Sequence, residues 1–360
     1  MRIAALALHA NNGWPELATD TLAPGLNVFH GPSASGKTTL ADLVGHVLYG
    51  QRLAPTGEVA PKGEIVVENR GGHYRLRRTH DTTGSERLTV AALDHAPVDQ
   101  DTVRQLVACL SPALLRPLFA VSFRDPPRLD WLLSPEFSRE FRAALWRLKW
   151  APPTVQAELR PIYARLRALE TQVASLVRGL GTAEHQAAAA KMQARMRRRR
   201  ASHFLAHLTD GEFLQLRLGA TGEAHVITAA GESLAVDSLW STQRDQVYLS
   251  ILLALLTALG RYGARLPLVL DEPFARLDAR AAAALVDVLD VFSRRGHQVL
   301  VLTAHREAAE RLAALGATIH NMLALPGRHV ADAKPQAAET ATRRIRRRVK
   351  SARVTQREAG

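Results

Sequence analysis

The stretch GLNVFHGPSASGKTTLADLVGHVLYG, Gly25 to Gly50, constrains this chain more than any other. It carries the spacing G-x-x-x-x-G-K-T. Gly31 and Gly36 bracket Pro32, Ser33, Ala34 and Ser35, and Lys37, Thr38 and Thr39 follow. Before the loop, Leu26, Val28 and Phe29 make a short apolar run fit for a buried strand. After it, Leu40, Leu43, Val44, Val47 and Leu48 recur at helical spacing. A loop between strand and helix turns its backbone N–H groups onto phosphate oxygens at the positive end of the helix. Glycine lets the backbone come close because no Cβ intervenes. Lys37 is then placed to reach the β- and γ-phosphates, and the Thr38 hydroxyl to ligate Mg²⁺. The segment Gly31–Thr39 predicts a nucleoside triphosphate site.

A second motif lies far downstream. LPLVLDEP, Leu266 to Pro273, is an apolar strand ending in two acids. Asp271 at the carboxyl end of a central strand is where a Mg²⁺-supporting carboxylate belongs in such a fold. Glu272 beside it is placed to orient or deprotonate an attacking water. Two acids at a strand end also cap turns, and the pairing with the Gly31–Thr38 loop favours the catalytic reading. His305 follows the next strand, in VLVLTAHRE, where it is placed to hydrogen-bond a γ-phosphate. Asp278, in ARLDAR, is placed to reach across a dimer interface.

In a chain of 360 residues, 47% hydrophobic and 22% charged, these motifs belong to a globular protein of about two domains or one elaborate one. The formal net charge of +13 points to an anionic partner. Cys109 is the single cysteine, so no intrachain disulfide and no cysteine-based zinc site forms, which fits a cytoplasmic protein. Arg2 to Leu8 reads as an edge strand rather than a leader. The apolar run Val247–Leu259 is about two-thirds of a bilayer span and reads as a buried helix, with no membrane role.

Between the motifs, Lys62 to about Val90 has short strands broken by Gly71-Gly72 and Gly84, an antiparallel β meander. Asp101–Leu118 reads as helical, and Leu118–Phe123 as a short strand. From Phe137 strand character disappears. Ile162, Leu166, Leu169, Val173, Leu176 and Leu180 alternate steps of four and three, a heptad seam, and Gly179 and Gly181 reverse the chain. A short antiparallel helical hairpin is expected, with an ordinary helical insertion as the alternative. Phe213–Arg217 and Ala224–Thr228 read as paired strands. Leu266–Leu270 and Gln298–Thr303 read as doubly covered parallel strands around a helix from about Ala279. The expected division is 1–136, 137–202, 203–326 and a basic tail over 327–360.

The order GPSASGKTT, LWSTQRDQVYLSILLAL, LPLVLDEPFARLDAR, VLTAH resembles an ABC-type ATPase head of the SbcC/RecF/SMC class, with bacterial YhaN-like proteins the nearest likeness. The resemblance covers about residues 1–50 and 201–322. It implies an α/β P-loop NTPase fold carrying the β meander and an inserted helical hairpin. It also implies ATP and Mg²⁺ as cofactors, and a head-to-head homodimer closed by ATP around DNA-associated machinery, with a nuclease among the possible partners.

Three departures stand out. Arg244, Asp245 and Gln246 match the family's signature segment, but Trp240 stands at its serine position and Thr242 at its glycine position. Ser241 becomes the candidate replacement after a shift of one residue. No glutamine of the family's Q-loop stands near Ser122. The arms are short, and no zinc-hook cysteine pair exists. These departures keep open a nucleotide-gated interaction module with little turnover. A transporter ATPase subunit is a weaker alternative, opposed by the helical insertion. Arg195, Arg197–Arg200 and Arg343–Lys350 are basic segments suited to double-stranded DNA backbone, or to a solvated helix face.

Overall fold

The run ahead of the glycine-rich loop forms the strand its composition predicts, one of thirteen among the described residues. The computed structural model describes residues 1–9, 16–19, 21–50, 62–69, 72–80, 86–98, 120–123, 129–149, 200–218, 223–261 and 264–323. The expected helix over 101–118, Cys109, the heptad seam, the basic run over 195–199 and the tail over 327–360 lie outside them. Contacts group Met1–Leu129 with Ala264–Gly360 as one unit and Asp130–Gly263 as another.

In chain order the strands are β1 (Arg2–Leu8), β2 (Leu17–Thr19), β3 (Leu26–His30), β4 (Gly63–Asn69), β5 (Gly72–His80), β6 (Glu86–Ala92), β7 (Ala120–Ser122), β8 (Phe213–Leu218), β9 (Ala224–Thr228), β10 (Ser233–Ala235), β11 (Leu268–Asp271), β12 (Val299–Thr303) and β13 (Thr318–Asn321).

The first unit holds two five-stranded sheets, ordered β2-β1-β4-β5-β6 and β13-β3-β12-β11-β7. The first is antiparallel throughout, and β4, β5 and β6 form the expected meander. Arg2–Leu8 differs from expectation. It is an interior strand, because three residues of the following link pair with it as β2 and β4 flanks its other side. Gly63 sits where β4 passes β1. A Cβ there would press on the Ala7 carbonyl oxygen and the Leu43 side chain, so the close approach requires glycine.

The second sheet is parallel in every pairing. Two of its three inner strands, β11 and β12, are buried at every position, as continuous apolar runs covered on both faces should be. Gln298 ties the two sheets together. Its side chain accepts from the Ile3 amide at 2.7 Å and donates to the Ile3 and Ala23 carbonyls at 2.7 and 2.9 Å. The helix Ala279–Arg294 buries Ala282, Leu285, Val286, Leu289 and Phe292, spaced along one stripe.

In the second unit, the helix Pro135–Lys149 buries Phe137, Phe141, Ala144 and Leu145. Residues 200–208 form a helix that Gly211 closes, its amide donating to the Ala206 carbonyl at 2.7 Å with φ of 84°. β8, β9 and β10 form a three-stranded antiparallel sheet. The helix Ser241–Arg261 is buried without interruption from Asp245 to Leu256, the pattern of a core helix. Among the described residues no helix is long and apolar enough to cross a membrane.

Candidate functional site

Parallel pairing puts the carboxyl ends of four strands on one edge of the sheet. Asp271 is in register with Leu302 of β12 and with Ser122 of β7, and Thr303 with His30 of β3. Since β12 lies between β3 and β11, the loop after β3, the acids after β11 and the turn at Thr303–His305 meet at this edge. Ligands of open α/β sheets bind at such carboxyl ends.

The loop Gly31–Gly36 leads into the helix Lys37–Tyr49. Gly36 precedes the helix with φ of 88°, and Ala34 also adopts a left-handed conformation at 65°. The first turn of a helix has no internal partners for its amides, so Lys37, Thr38 and Thr39 present N–H groups at its positive end. Gly31 donates its amide to the Thr303 carbonyl at 3.3 Å. A Cβ at Gly31 would come within 2.8 Å of both Met322 Cβ and Ser35 Oγ. Pro32, Ser33 and Ala34 are exposed at the tip. The loop wraps its own lysine: Lys37 Nζ donates to the Gly31 and Pro32 carbonyls at 2.8 and 2.7 Å.

The two distant motifs touch. Thr38 Oγ1 donates to Asp271 Oδ2 at 3.0 Å, and Lys37 Nζ lies 3.2 Å from Glu272 Oε1. Glu272 is a non-glycine residue at φ of 52°, a strained conformation that its contacts over-determine. Its amide donates to the Leu302 carbonyl at 2.8 Å, and its Oε2 accepts from the Ala304 amide at 3.0 Å. The carboxylate is thereby aimed back over the loop.

His305 precedes the helix Arg306–Ala314 and caps it, Nδ1 accepting from the Ala308 amide at 3.2 Å. An accepting Nδ1 keeps the ring proton of the neutral side chain on Nε2, so that nitrogen is a donor. Asp278 caps the helix Ala279–Arg294, its Oδ1 accepting from the Ala281 amide at 2.7 Å. Both residues therefore have a structural task of their own. Ser241 belongs to the second unit, as the first residue of its buried helix. Trp240 precedes it, 81% exposed, with its amide donating to Gln243 Oε1 at 3.2 Å.

Sequence reasoning missed Ser122 as a member of this cluster. Its Oγ donates to Asp271 Oδ2 at 3.0 Å, the same oxygen that Thr38 holds. The available signal was a hydroxyl ending a short apolar run, LFAVS, which acquires meaning only once β7 is known to lie beside β11.

Hydroxyls and a carboxylate form an oxygen-only donor set, which suits Mg²⁺ rather than a softer metal. Among the described residues no group of three or more His, Cys, Asp or Glu side chains encloses a metal.

Solved structures share this architecture. An SMC head domain of Pyrococcus furiosus, with an extended coiled coil and bound to the C-terminal domain of ScpA, aligns over 87% of this chain and 91% of its own, at 16% identity and a TM-score of 0.55. An SMC head bound to the C-winged helix domain of ScpA aligns over 86% and 92%, at 15% identity and a TM-score of 0.53. An SMC head with coiled coil and joint from Pyrococcus yayanosii aligns over 88% and 94%, at 12% identity and a TM-score of 0.51. The chain has the fold of an SMC-type head. No protein-family model and no curated protein matches the sequence.

Proposed function

We propose that this protein is a P-loop ATPase head that binds ATP with Mg²⁺, hydrolyses it, and closes into a head-to-head homodimer on or near double-stranded DNA. The observation that carries the reading is the Thr38–Asp271 hydrogen bond beside the Lys37–Glu272 pair, which joins two motifs 233 positions apart. The SMC-head fold supports it.

In this reading the amides of Gly31–Thr39 cradle the phosphates, Lys37 neutralises the β- and γ-phosphates, and Thr38 with Asp271 holds the metal. Bound Mg²⁺ supplies charge neutralisation on the phosphate oxygens. Glu272 accepts a proton from the attacking water, the carboxylate being steered by the Ala304 amide. His305 donates from Nε2 to the γ-phosphate. Ser241 and Asp278 meet the nucleotide and the dimer interface from the partner head. The basic segments at Arg195–Arg200 and Arg343–Lys350 hold DNA backbone, and the cytoplasm is the compartment. The head structures bound to ScpA favour a protein partner for this head as well.

The exposed Trp240 at the entry of the helix Ser241–Arg261 favours a second reading, a nucleotide-gated interaction module with little turnover. A bulky indole beside Ser241 opposes close approach of a partner's nucleotide. ATP binding and hydrolysis by wild type, Lys37→Ala and Glu272→Gln, with and without duplex DNA at two salt concentrations, separate the readings. An ATPase head binds ATP through Lys37 and loses turnover in Glu272→Gln, whereas a module binds ATP with no turnover to lose. Absence of ATP binding by wild type sinks both. DNA stimulation that disappears at high salt supports the DNA assignment, and a flat response removes it.

A further inference from the structure

Asp271 is held more tightly than the two motifs alone require. Its Oδ2 accepts two hydroxyl donors from two different elements, Thr38 Oγ1 after β3 and Ser122 Oγ at the end of β7, each at 3.0 Å. The backbone joins in. Ser122 is the register partner of Asp271, and the next residue, Phe123, donates its amide to the Asp271 carbonyl at 2.9 Å. Asp271 itself is fully buried, whereas Ser122 is half-buried at the site's edge.

A carboxylate gripped on one oxygen from both sides cannot rotate about its terminal bond, and its other oxygen acquires a set direction. Outer-shell hydrogen bonds of this kind orient metal-supporting groups and raise metal affinity.

We propose that Ser122 is a positioning residue of the Mg²⁺ site, where its hydroxyl locks the Asp271 carboxylate in the orientation that supports the metal. This rests on the ATP–Mg²⁺ reading of the site. The Ser122 hydroxyl acts through Asp271 from the neighbouring strand. A strand-end hydroxyl pinned by parallel register suffices because the distance to Asp271 is that of one hydrogen bond.

The test is calorimetric binding of a non-hydrolysable ATP analogue, in Mg²⁺ and in EDTA, to wild type, Ser122→Ala and Ser122→Thr. Wild type binds more tightly in Mg²⁺ than in EDTA. In Ser122→Ala that enhancement falls by about tenfold, while binding in EDTA stays at the wild-type level. Ser122→Thr keeps the hydroxyl and restores the enhancement. Ser122→Cys, a poor donor of similar size, repeats the loss if the alanine variant fails to fold. Ser122→Ala or Ser122→Cys protein that retains the full enhancement, or loses affinity equally in both buffers, overturns the proposal, as does a Ser122→Thr variant that fails to restore the enhancement. Wild-type protein that binds no analogue in either buffer overturns the ATP reading itself, a separate outcome.

Discussion

Lys37 Nζ and Glu272 Oε1 form an ion pair at 3.2 Å with side chains only 1% and 7% exposed. A pair so buried gains from mutual attraction what it loses in hydration, and removing one partner strands the other charge. The pair also sets the resting position of the proposed base, because Glu272 is shared between the ammonium and the Ala304 amide.

Lys37→Met should therefore destabilise the fold by about 3 kcal/mol, since it leaves the Glu272 carboxylate buried without its cation. Combining it with Glu272→Gln should recover a large part of that loss. Urea unfolding of the four members of the double-mutant cycle measures the coupling. Strict additivity would show that the pair has no energetic link.

Glu272→Gln should lower ATP turnover by about 10²- to 10⁴-fold, the range for loss of a positioned proton acceptor. ATP affinity should be retained, because the loop amides and Lys37 remain. Steady-state hydrolysis and equilibrium binding on the same preparation check both halves. Undiminished turnover would remove Glu272 from the mechanism.

His297 governs an acid limit on stability. It is buried and stacked on Phe292 with ring centroids 4.2 Å apart. Burial, with Arg265 and Arg295 nearby, pushes its pKa from 6.5 down to about 4. Between these values the unfolded chain holds the extra proton and the folded protein does not. Stability is therefore full above about pH 6.5 and declines as pH falls towards 4, by about 3 kcal/mol from this residue. His9 and His320, both lowered chiefly by burial, act in the same direction. Urea midpoints at pH 4.5 and 7.5 should differ less in His297→Gln than in wild type.

Gly63→Ala should destabilise by about 2 kcal/mol, because the added methyl group meets the unyielding β1 backbone as well as the Leu43 side chain. Gly231→Ala is the control. No atom lies within 4 Å of the added Cβ, and only the positive φ of 86° opposes it. Chemical unfolding should rank Gly63→Ala as the more damaging.

Trp240→Ser removes an 81%-exposed indole and should change stability by less than about 0.5 kcal/mol. ATP-dependent dimerisation, followed by analytical ultracentrifugation, should strengthen if the indole obstructs the partner head. An unchanged dimer would show that Trp240 lies outside the interface.

Much of this arrangement was legible before any coordinates. The glycine spacing from Gly31 to Gly36 and the acids after Leu270 are local signals, since a phosphate loop and a strand-end carboxylate each depend on their immediate neighbours. The caps made by Asp278 and His305 were not: the sequence offered these residues as an interface group and a γ-phosphate donor, and their helix-capping bonds became visible only with the backbone. The interior position of β1 was not, because the three residues of β2 carry too short a pattern to announce a strand.

Taken alone, the order of residues determined most of the strands, though not β2, β10 or β13, together with which loop can cradle phosphate and which acids stand at a strand end. These properties follow from side-chain period, glycine freedom and apolar runs within a dozen positions. Tertiary structure alone decided that β12 separates β3 from β11, that Thr38 and Ser122 share one oxygen of Asp271, and that Lys37 pairs with Glu272. Strand order and register join residues as distant in the chain as Asn27 and Thr318, and no local pattern encodes which of several buried apolar runs will lie side by side.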